Sequence, residues 1–191
     1  MNPPHPEFFH SWHDFFILLG TACATLVGLM FIAISIGASI FKEENRPALE
    51  VFLGPTIVHF TSVLVLCVLA TVPSHSWLSL AGLASLIGLA GFFYSARIWF
   101  RLTRSRYEID YLDRFFYTVL PAIGYLVMLF AASLLYEQSE WGLDAAAIGL
   151  ITLLLAGIRN AWDMMTWIAL KVPNVGEESK EKSAANVKPL S

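Results

Sequence analysis

Residues 15–41 read FFILLGTACATLVGLMFIAISIGASIF, 27 residues without one charged side chain. An α-helix rises ~1.5 Å per residue, so this stretch reaches ~40 Å, more than the ~30 Å of hydrocarbon in a bilayer. It is too long for the apolar core of a secretory signal. The residues before it, MNPPHPEFFHSWHD, also lack the lysine or arginine that such a signal needs. We therefore expect a retained membrane helix.

Four further stretches have the same character: residues 51–72, 77–100, 115–136 and 145–170. Strands of a membrane barrel would be about ten residues long and alternate in polarity. These runs are longer and do not alternate. In lipid, helices are then the remaining way to satisfy the backbone. The expected fold is all-α, a polytopic transmembrane bundle of five spanning helices. A segment 1–13 precedes the membrane domain 14–171. A polar tail, 172–191, has little to bury and is expected to be disordered.

Composition points the same way. The chain of 191 residues is 57% hydrophobic and 14% charged, with mean hydropathy +0.63. Soluble domains carry about 45–50% apolar and about 25% charged residues. No basic domain suggests nucleic acid as a partner; the expected partner is the lipid bilayer.

The basic residues set an orientation. Lys42 and Arg46 follow the first span. Arg101, Arg104, Arg106 and Arg114 follow the third, and Lys171, Lys180, Lys182 and Lys188 follow the fifth. The N-terminal segment and the two other loops hold none. The positive-inside rule then predicts N-out/C-in topology, in a bacterial inner (plasma) membrane. The arginines of the connection 102–113 are expected to meet anionic lipid headgroups, where a short interfacial helix would lie.

Charge inside the spans is rare and therefore informative. A charged side chain at membrane depth costs several kcal/mol unless paired or hydrated. Arg159 and Asp163 stand four apart on one helical face within GIRNAWDMMTW, and a structural ion pair is the simplest reading. Counted from the cytoplasmic ends at ~1.5 Å per residue, Arg159 lies ~16 Å deep, His59 ~14 Å, Asp163 ~10 Å and Arg97 ~5 Å. Spans two, three and five could bring His59, Arg97, Arg159 and Asp163 into one intramembrane polar site. The plainer readings are a hydrogen-bonded packing histidine and an arginine that snorkels to the interface. Haem is disfavoured, because no second histidine lies in a span, and no cofactor is expected.

Small residues form the other pattern. Gly20, Ala24 and Gly28 stand four apart on the first span, and Gly88 lies on a similar face of the third. This spacing lets helix backbones approach closely, within one chain or between chains. Cys23 and Cys67 sit in apolar runs at no metal-binding spacing and read as packing residues. On the outer side, His10, His13 and Asp14 form a candidate metal or pH-sensing site, with a polar rim free of lysine and arginine as the plainer reading. Zinc-protease, phosphate-loop and serine-elbow motifs are absent, so nothing nominates an enzyme. The best functional expectation is a homo-oligomeric channel or pore-like protein. The alternative is a non-catalytic accessory or scaffold subunit bound to a larger membrane partner.

Overall fold

The computed structural model describes residues 6–36, 46–73, 76–104 and 114–186, with side chains for 12–36, 53–73, 76–104 and 114–166. Among the described residues every regular element is helical: α1 (Pro6–Ile36), α2 (Arg46–Ala70), α3 (Trp77–Arg104), α4 (Leu120–Tyr136, entered through a π turn at Phe115–Val119) and α5 (Trp141–Asn186). All five are long and apolar enough to cross a membrane. The outer surface suits lipid: Leu18, Phe31, Leu86, Phe93, Phe130, Ile148 and Trp162 are each about 60% exposed or more.

Helix ends follow from local chemistry. α3 starts at a reciprocal cap, in which Ser79 N–H donates to Ser76 Oγ (3.2 Å) and Ser76 N–H donates to Ser79 Oγ (3.0 Å). α4 stops in a Schellman arrangement: Ser139 N–H reaches Leu134 O (2.9 Å) and Gln138 N–H reaches Leu135 O (3.0 Å). Gln138 holds the left-handed position (φ 56°) that glycine usually fills, at a cost of roughly 1–2 kcal/mol. The π turn before α4 has a proline beside it. Leu120 N–H bonds to Phe115 O, five residues back. Pro121 has no N–H to offer the carbonyl four residues before it, so the α-pattern cannot run through this turn.

Packing joins α2 to α3, α3 to α4, α4 to α5 and α5 to α2, while α1 docks mainly on α2. Four helices thus form a ring with α2 and α4 on one diagonal. Glycines permit the close approaches. A Cβ at Gly91 of α3 would fall 2.0 Å from the Tyr125 ring of α4, and one at Gly157 of α5 would fall 2.5 Å from the Phe60 ring of α2. Lipid is as apolar as leucine, so such contacts and interhelical hydrogen bonds hold the bundle more than any flight from water does.

Two expectations meet the backbone differently. The fifth helix does not stop near residue 171 but continues to Asn186, where a disordered tail was expected. The interfacial helix expected in 102–113 falls mainly outside the described residues, as α3 ends at Arg104.

Candidate functional site

Arg159 and Asp163 form an ion pair on α5. One turn of α-helix places their side chains on the same face, as the spacing requires. The Arg159 guanidinium also lies over the Phe116 ring, 5.4 Å from its centre. The π turn carries that ring. The pair is not sealed in the core: its side chains are 39% and 27% exposed. Even so, Asp163 Oδ2 is buried without a hydrogen-bond partner.

His59 has different company. It is fully buried, and its Nδ1 lies 2.9 Å from Tyr125 Oη across the α2–α4 diagonal. Tyr125 Oη lies 3.2 Å from Ser62 Oγ, and Ser62 in turn donates to its own helix at Val58 O (2.8 Å). Tyr125 is fully buried, and its ring occupies the space left by Gly91. His59 Nε2, on the far side of the imidazole, has no partner.

Arg97 lies on the outward face of α3. With Phe93, Ala96, Phe100, Arg101 and Arg104 it lines an open groove of about 670 Å³. Three guanidinium groups beside exposed phenylalanines suit the boundary between hydrocarbon and anionic headgroups. The structure therefore pairs Arg159 with Asp163, gives His59 to Tyr125, and leaves Arg97 on a separate face.

Other nominated residues divide in the same way. Gly20 and Gly88 are buried between helices of one chain, Gly20 against Cys67 and Gly88 against Leu129. Ala24 and Gly28 face outward, and a Cβ at Gly28 would meet only open space. Both cysteines are buried free thiols. On α1, Asp14 is exposed and His13 half-buried, while the His10 side chain falls outside the described ones. No group of three metal-ligating side chains gathers among the described residues.

Sequence reasoning passed over Tyr125, Ser62 and Asn160. Asn160 is fully buried, and neither Nδ2 nor Oδ1 has a partner. It stood beside Arg159 in the sequence. A carboxamide in a span is itself a signal, because burying one unbonded costs about 1–3 kcal/mol by protein mutational data. Tyr125 carried no such signal, since tyrosine is common in membrane helices.

Comparison with protein-family models, with curated proteins and with solved structures finds no match to this chain, so any functional reading rests on the chemistry of these residues.

Proposed function

We propose that this protein is a homo-oligomeric channel or pore-like protein of a bacterial inner membrane, with its N-terminus outside and its C-terminus in the cytoplasm. One observation supports it above the rest: the Arg159–Asp163 pair sits on the rim of the bundle, partly exposed, and not inside it. The apolar run that holds the pair extends to Leu170, which places Arg159 eleven residues, or ~16 Å, from its end. Lipid is a poor neighbour for ions at that depth. A hydrated lumen or a second chain is a better one. Five spans with a packed interior leave little room for a pathway within one chain, so the lumen forms where chains meet. Arg159 presents a guanidinium to that lumen, which favours anions over cations.

Flux from reconstituted vesicles tests this directly. Wild type should pass anions, and Arg159→Ala should lose most of that flux. Equal, negligible flux in both would sink the proposal.

A second reading, a non-catalytic accessory or scaffold subunit, draws on the outward Ala24 and Gly28 face of α1, which no other helix covers among the described residues. Purification in mild detergent separates the two. A ring of identical chains supports the pore, and a stoichiometric foreign membrane protein supports the scaffold.

A further inference from the structure

Proton counting fixes the state of His59. Ser62 has one hydroxyl proton, and a carbonyl can only accept, so that proton lies on the bond to Val58 O. Ser62 Oγ must then accept from Tyr125 O–H. Tyr125 Oη, its proton now placed, must accept from His59 Nδ1–H. All three bonds form together in this one arrangement. That puts a proton on Nδ1, and because a buried imidazolium with no counter-charge is costly, the ring is neutral and Nε2 keeps a bare lone pair, buried and unpartnered.

What faces that lone pair follows from helix register. Successive spans alternate in direction, so α2 and α5 run antiparallel. Phe60 packs on Gly157, which sets His59 level with that turn of α5. Asn160 lies one turn further along the face of Gly157. Side chains lean toward the start of their helix, so the Asn160 carboxamide leans back toward His59. Asp163, three residues later again, lies about 120° round the helix from Gly157 and turns toward the π turn with its partner Arg159. Three atoms on the inner side of this turn are then without partners: His59 Nε2, Asn160 Nδ2 and Asn160 Oδ1.

Buried polar atoms that lack protein partners are commonly served by water, which makes about three hydrogen bonds in such places. Here one water can donate to His59 Nε2, donate to Asn160 Oδ1 and accept from Asn160 Nδ2. We propose that the seam between α2 and α5 is a water-binding site, in which one water bridges the Asn160 carboxamide and His59 Nε2. It is blind. The hydrogen-bonded chain stops where Ser62 turns its proton onto its own backbone. The next turns toward the opposite face bury Val63, Leu66, Met128 and Leu150, which offer water nothing. The inference concerns the interior of one chain and holds whether or not chains assemble into a pore. It also implies that any passage across the whole membrane runs outside this seam.

Solid-state nitrogen NMR of the full chain in lipid nanodiscs, with 15N-histidine, tests it. The chain has five histidines, and His59 is assigned by its absence in His59→Gln. Should that variant fail to fold, Tyr125→Phe assigns it instead, because only the His59 Nδ1 signal then moves. The expected result is a neutral Nδ1–H tautomer with polarisation transfer from water to Nε2. Asn160→Leu should keep the tautomer and lose the transfer. An Nε2–H tautomer, no transfer in the wild type, or transfer undiminished in Asn160→Leu would each overturn the proposal.

Discussion

The two halves of the bundle interior, divided near Ser62, solve the same problem in opposite ways. Toward the α4–α5 turn the core is Val63, Leu66, Met128, Ala131, Leu135, Leu143 and Leu150, all buried. Gly142 and Gly149 let α5 lie tightly on α4 there. Toward the arginine-bearing end the interior buries Thr56, His59, Ser95, Thr118 and Asn160 beside apolar residues such as Ile98 and Leu102. Pro55 in α2 and Pro121 in α4 lie in this second half, as does the π turn. Both halves face the same lipid, so solvent does not explain the contrast. The apolar half is held by contact area, which is additive and has no direction. The polar half is held by bonds with direction, and several of its atoms are left wanting a partner. An interior with unfilled hydrogen-bonding capacity costs stability, which is why we place the water site there.

Three substitutions test that contrast. The largest effect should come from Gly91→Ala, where the two halves meet. Its methyl group would fall 2.0 Å from the Tyr125 ring, so the ring must move and its bonds to His59 and Ser62 must break. Overpacking with loss of a hydrogen bond predicts about 2–4 kcal/mol of destabilisation in reversible unfolding in detergent. Gly82→Ala, into open space on the same helix, serves as the control. A smaller loss, roughly 2 kcal/mol, is expected for Leu150→Ala in the apolar half, chiefly from contacts that the cavity forfeits. Tyr125→Phe should cost least, about 0.5–1.5 kcal/mol, the range for interhelical hydrogen bonds in membranes. The contrast fails if Tyr125→Phe proves more damaging than Leu150→Ala, because the polar half would then carry the stability as well.

Much of this was legible before any coordinates. Runs such as residues 15–41 show their helical nature by length alone, since backbone groups in lipid must be satisfied within the segment. The Arg159–Asp163 pair was legible for a related reason: four residues make one turn, and a local rule needs no tertiary knowledge. His59 could be nominated but not paired. Its partner Tyr125 lies 66 residues away on a helix that touches α2 only across a diagonal, and no periodicity encodes that. Depth counting placed Arg97 near the others, but depth says nothing of azimuth. Arg97 faces outward because α3 turns Ser95 and Ile98, not Arg97, toward the bundle.

By itself the sequence determined that five apolar helices span a membrane, where their charges lie in depth, and which charges share a helical turn. These are properties of one segment in one solvent. Tertiary structure alone decided which faces meet, which glycine admits the Tyr125 ring, and which polar atoms are left unpartnered. Those depend on the rotation of each helix about its own axis, and in lipid that rotation is set by close packing among helices rather than by any apolar stripe that could be read from the chain.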